Sequence, residues 1–144
     1  MNTIDQFSFL DKKAIIRVDF NVPLNNGEVT DNSRIVAASP TIKKIISDGG
    51  SCILMSHLGR PKGVDQSLSM GNIAKEVERV LGSEILLSKD VVGQDAKSKS
   101  KNLKPGEILL LENLRFHNEE TEGDIVFAEE LSKLADCYIN DAFG

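Results

Sequence analysis

Residues 52–63 read CILMSHLGRPKG, four apolar residues running straight into a loop that holds one imidazole and two cations. Gly49 and Gly50 precede the apolar run and a Gly/Pro loop follows it, which is the pattern of a short strand buried on both faces. The loop SHLGRPKG (56–63) then leaves the strand's carboxyl end, where open parallel α/β sheets place their ligands. Arg60 offers a planar fork of donors, Lys62 a mobile point charge, and Gly59 a close approach of backbone to a ligand. This chemistry suits an anion. Taken alone, the same letters also describe a solvated basic loop.

The 144 residues are 40% apolar with a formal net charge of −5, enough for one domain with a real core and too balanced for disorder. No run of roughly eighteen apolar residues occurs. The start, MNTIDQFSFLDKK, lacks the basic beginning and long apolar stretch of a signal peptide. A soluble, cytoplasmic protein without a membrane partner is expected. Cys52 and Cys137 each fall in an expected strand with no further cysteine or suitably spaced histidine nearby, which predicts buried free thiols and no metal site. A pI near 5.1 argues against nucleic acid as a partner. The lysine-rich stretch 97–104 and the acidic stretch 119–124 carry no interleaved aromatics and read as solvated faces.

In chain order, 13–21 (KAIIRVDFN) opens as a buried strand and closes in a polar cluster before Pro23. Alternation puts Arg17, Asp19 and Asn21 on one side of it and Val18 and Phe20 on the other. An Asn-Gly pair within 24–28 predicts a small hairpin. Pro40 predicts a break in the helical pattern beyond it: Asp31 caps a short first piece, Ser39 and Pro40 start a second, and Gly49 ends it. A strand at 52–56 leads into the opening loop, and a helix over 70–81 is bounded by Ser69 and Gly82, with Ile73, Val77, Val80 and Leu81 as its apolar face. Strands are expected at 84–87, 107–112 and 137–141, a polar crossover at 91–105, and a helix at 124–135 begun by Asp124.

Strands alternating with helices predict an α/β fold, a three-layer α/β/α arrangement around a parallel sheet, Rossmann-like in plan. The carboxyl ends of parallel strands share one edge. Asp19, Asn21, His57, Arg60, Arg115 and Asp141 would gather there. Of the five arginines (Arg17, Arg34, Arg60, Arg79, Arg115), Arg34, Arg60 and Arg115 fall at or beside this edge, while Arg79 reads as a solvated helix residue. An acidic chain that collects arginines around one crevice is suited to a small, phosphorylated acid.

Four strings, RVDFNVP (17–23), SHLGRPKG (56–63), LLENLRF (110–116) and NDAFG (140–144), together resemble the phosphoglycerate kinase family across the whole chain. The resemblance implies an incomplete amino-terminal, substrate-binding domain of a two-domain kinase, with residues 1–144 as one domain. It implies 3-phosphoglycerate or 1,3-bisphosphoglycerate as partner, and ADP or ATP with magnesium bound by a second domain that this sequence lacks. Asp19, Asn21, Arg34 and His57 would surround the carboxyl or acyl-phosphate end, Arg34 as the catalytic group, while Arg60 and Arg115 would hold the distal phosphate. A further phosphate-binding arginine and a further strand of the family lie past residue 144. The family usually has proline and an apolar residue where this chain has Met70 and Gly71, which predicts a softer helix start and no effect on chemistry.

The implied activity is reversible phosphoryl transfer between 1,3-bisphosphoglycerate and ADP, a step of glycolysis, with this chain inactive alone. The intact enzyme is expected to be a monomer and the fragment to self-associate along its last strand. Two readings compete. One is a stand-alone phospho-ligand binding module without turnover. The other, a dinucleotide-binding domain, is weakened because no GxGxxG follows the first strand and no GxxxxGK[ST] occurs anywhere.

Overall fold

The apolar run follows Ser51 in the central strand of a sheet, and every residue of that strand is buried. A computed structural model describes residues 8–18, 20, 22, 24, 25, 28–56, 69–89, 94–112 and 135–140. Within them the order is β1 (Lys13–Arg17), β2 (Leu24–Asn25), β3 (Glu28–Val29), α1 (Ser33–Ser47), β4 (Ser51–Met55), α2 (Gly71–Leu81), β5 (Ile85–Leu87), α3 (Gln94–Lys101), β6 (Ile108–Leu110) and β7 (Cys137–Asn140). Five strands form one sheet in the order β5-β6-β4-β1-β7, and every neighbouring pair is parallel. β2 and β3 make the small antiparallel hairpin that the Asn-Gly pair predicts. The helix expected at 124–135 lies outside the described residues.

All five residues of β4 are buried because both faces of the sheet are covered. Cys52 and Leu54 face one layer, where Ile35, Ile42 and Ile45 of α1 and Ile73, Val77 and Leu81 of α2 close over Ala14, Ile16, Ile108 and Leu110. Ile53 and Met55 face the other, with Ile15, Leu109, Ala96 of α3 and Leu103. The α/β/α layering expected from the sequence is therefore present. Cys52 is a buried free thiol, as its setting suggested.

One expectation fails. The chain does not break at Pro40; α1 is a single helix with Pro40 inside it. Proline has no N–H for the carbonyl four residues back, which is that of Val36. The Ser39 hydroxyl donates to that carbonyl instead, at 2.8 Å, so the acceptor that proline strands is satisfied by the side chain next to it. The helix start also differs from the reading of Asp31 as its cap. The capping position is Asn32, and Asp31 accepts the Ser33 N–H at 2.9 Å from one residue further out. The end is as expected: Gly49, at φ +90°, donates to the Ile46 carbonyl and Gly50 to the Ile45 carbonyl, each at 3.0 Å, a crossed pair of bonds that a left-handed residue permits.

A double-mutant cycle tests the repair at Pro40. Ser39→Ala is expected to cost about 0.5–1.5 kcal/mol in the natural sequence. In a Pro40→Ala background, where an N–H again reaches Val36, the same substitution is expected to cost much less. Equal costs in the two backgrounds, measured by denaturant unfolding, contradict the explanation.

Candidate functional site

Parallel pairing brings the carboxyl ends of β1, β4, β6 and β7 to one edge, with Arg17 opposite Met55 and Asn140, and Leu54 opposite Leu110. Beyond Arg17 the backbone is held at alternate residues. The Val18 N–H donates to the Met55 carbonyl at 3.0 Å, and the Val22 N–H to the Phe20 carbonyl at 2.8 Å. The Phe20 N–H donates to the Ser56 hydroxyl at 2.9 Å. Val18, Phe20 and Val22 are all buried in the layer beneath α1 and α2, while Arg17 stays partly exposed. The alternation read from the sequence therefore holds for every described residue in this stretch. Asp19 and Asn21 lie between these anchors and outside the described residues, as do His57, Leu58, Gly59, Arg60, Lys62, Arg115 and Asp141.

Arg34 is the candidate residue whose surroundings are described. It is exposed on the first turn of α1, which carries no acidic residue. Crossover helices run antiparallel to their strands, so this helix start returns to the carboxyl edge of the sheet. Two carboxylates hold it there. Asp31 accepts the Ser33 N–H, and Glu76 of α2 accepts from the Asn32 side-chain amide at 2.7 Å. The bonds from Ser33, with a smaller contribution from the Arg34 charge, keep the Asp31 carboxyl below its ordinary value. Glu76 is likewise held low, first by its hydrogen bond with Arg79 and then by Asn32. Arg79 is two-thirds exposed, as the sequence predicts, and ion-pairs with Glu76.

Two residues in the region were not recognisable as supports from the sequence. Glu112, read only as the end of a strand, accepts the Ser69 hydroxyl at 2.7 Å and the Met70 N–H at 2.8 Å. It thereby fastens the start of α2 to the end of β6, three residues before Arg115. Met70 is buried and sits at the capping position, so the helix start that the missing proline led us to expect as soft is clasped by a carboxylate. Ser56, read as the end of a strand and the first letter of the basic loop, is the buried acceptor for Phe20. Its partner is 36 residues away and Glu112's partners are 42 and 43 residues away, beyond the reach of any local pattern. Among the described residues no three His, Cys, Asp or Glu side chains converge on a metal position. No described helix is long and apolar enough to cross a membrane.

The family model described as phosphoglycerate kinase matches residues 4–144. The chain is 51% identical over 143 residues to a phosphoglycerate kinase of Moorella thermoacetica, covering 99% of this chain and 36% of that protein. It is 47% identical over 167 residues to that of Porphyromonas gingivalis, covering 99% of this chain and 40% of that protein. Among solved structures, phosphoglycerate kinase from Pyrococcus horikoshii superposes with a TM-score of 0.88 at 32% identity, over 99% of this chain and 37% of that one. The structure from Coxiella burnetii gives 0.83, also at 32% identity, over 95% of this chain and 34% of that one. The chain thus spans between a third and two fifths of the length of the relatives it matches.

The lowered carboxyl values at the start of α1 set the sign of its response to pH. Asp31 and Glu76 bind protons less readily in the folded chain than at their ordinary values of 3.8 and 4.5. Their contribution is complete above those values and is lost as pH falls through the folded ones. Carboxyl titration by NMR should give both midpoints below the ordinary values. Arg79→Ala should raise that of Glu76, while Arg34→Ala should move that of Asp31 only slightly. A Glu76 midpoint unmoved by Arg79→Ala contradicts the geometry.

Proposed function

Because the chain belongs to the phosphoglycerate kinase family, we propose that residues 1–144 form one domain that binds 3-phosphoglycerate or 1,3-bisphosphoglycerate for reversible phosphoryl transfer with ADP and ATP. The observation that supports this most is the parallel register of β1, β4 and β6, because the strings carrying Asp19 and Asn21, His57 and Arg60, and Arg115 leave these adjacent strands at one edge. In this reading Arg60 and Arg115 take the distal phosphate, where a planar fork pairs two phosphate oxygens at once. Asp19, Asn21 and His57 face the carboxyl or acyl-phosphate end and the hydroxyl of the ligand.

Arg34 has a different part. It stands at the first turn of α1, the helix end whose dipole favours negative charge, beside the Asp31 carboxylate that its charge helps to hold low. Phosphoryl transfer leaves little covalent work to the protein and depends on positioning and on stabilising charge spread over the transferring oxygens. A group that acts mainly on that charge raises turnover more than affinity. By the family resemblance, the nucleotide and its magnesium would bind outside residues 1–144. The family match leaves the alternative of a stand-alone phospho-ligand module with no observation in its favour.

Titration with 3-phosphoglycerate tests the reading. Each arginine–phosphate contact contributes about 1.5–3 kcal/mol, so Arg60→Ala and Arg115→Ala should each weaken binding at least roughly tenfold, while the helix-surface control Arg79→Ala should not. In the kinase expressed from its complete reading frame, Arg34→Ala should collapse kcat and leave 3-phosphoglycerate affinity within a small factor, with Arg34→Lys intermediate. Equal affinities for the three alanine variants, or a near-normal kcat in folded Arg34→Ala, would overturn it.

A further inference from the structure

The β1–β4 ladder ends with Arg17 opposite Met55, and past that pair the bonding partners change in kind. Val18 still bonds main chain to main chain, its N–H reaching the Met55 carbonyl. Donors on one edge of a parallel strand alternate, so the next is Phe20, and a continued ladder would send its N–H to the carbonyl of residue 57. It goes to the side chain of residue 56, the Ser56 hydroxyl, at 2.9 Å. The bond is dry: Ser56 is 1% exposed and Phe20 is fully buried. A buried amide N–H needs an acceptor, and here a hydroxyl supplies it one residue before the ladder would. The Phe20 donor is thereby satisfied without the main-chain ladder being continued, at the edge where the proposed ligand site lies.

The position of this bond in sequence gives it meaning. Phe20 stands between Asp19 and Asn21, and Ser56 immediately precedes His57. We propose that Ser56 is a positioning residue: its buried hydroxyl, by taking the Phe20 N–H where β1 and β4 stop pairing, sets how the backbone presents Asp19 and Asn21 on one strand and His57 on the other to the same ligand. This rests on the reading of those three residues as ligand-binding. Val18 stays bonded to the Met55 carbonyl and both Val18 and Val22 stay buried in the core, so losing the Ser56 acceptor moves the polar pair without unravelling the strand.

The test uses Ser56→Ala, which deletes the acceptor, and Ser56→Thr, which keeps it, with Arg60→Ala as the reference for the underlying reading. At a temperature where melting curves show all of them folded, Ser56→Ala is expected to weaken 3-phosphoglycerate binding by roughly ten- to a hundredfold, the scale on which displacing a binding group by about 1 Å acts. Ser56→Thr should restore most of it. Amide spectra without ligand should show Asp19, Phe20, Asn21 and His57 displaced in Ser56→Ala and back near their natural positions in Ser56→Thr. Should Ser56→Ala fail to fold, Ser56→Cys, close in size and a poor acceptor, takes its place. Natural affinity in folded Ser56→Ala, alongside a weakened Arg60→Ala, overturns the role of Ser56 and leaves the binding reading intact. If Arg60→Ala binds as the parent does, the binding reading fails. The amide displacements then decide the positioning role alone, and undisturbed 19–21 amides overturn it.

Discussion

Five strands running the same way, with β4 buried along its whole length, are the constraint on which the other features depend. A parallel sheet covered on both faces has no polar side, so its strands are apolar throughout and polar chemistry is pushed to their ends. Parallelism then makes the two ends unlike. Each strand delivers its loop to the same edge, and each crossover helix starts on that side, which is why the start of α1, with Arg34, is tied to α2 through Asn32 and Glu76, and the start of α2 is clasped by Glu112 just past β6.

The opposite edge is built for stability. There the Lys13 N–H donates to the Asp136 carboxylate and the Lys13 carbonyl accepts the Asp136 N–H, which fixes the register of β7 on β1. The Lys13 ammonium reaches the carbonyls of Ser100 and Lys101 at the carboxyl end of α3, where a cation is favoured. A cavity of about 150 Å³ between the ends of α1 and α2 on this side is lined mainly by Ile42, Ile46, Leu81 and Ile108. Gly50 lies in the same region, where a Cβ would come within 2.5 Å of the Phe9 carbonyl. That position has no room for any other residue.

Much of this was legible because strand residues such as Ile53, Leu54 and Leu109 are chosen by a rule that acts locally: a strand buried on both faces is apolar at every position. Helix ends marked by Gly49 and Gly82 were legible for the same reason, since a left-handed residue is a property of one position. Pro40 misled because its local penalty is removed by Ser39, and the proline rule does not look at its neighbour's hydroxyl. Ser56 and Glu112 were invisible as supports because their role exists only once distant segments meet. The motifs could suggest which residues contact a ligand. They could not suggest that Ser56 and Glu112, beside those residues in sequence, tie distant segments together.

Mapping amide resonances during addition of 3-phosphoglycerate tests most directly whether ligand binds at the carboxyl edge of the sheet and nowhere else on the described surface. Shifts are expected to be confined to residues 17–22, 34, 56–62 and 112–117, with those of Ile46, Ser83 and Lys104 at the other edge unmoved. Saturable shifts centred on the Ile46 and Ser83 side, with the strand ends silent, would contradict a ligand site at the carboxyl edge.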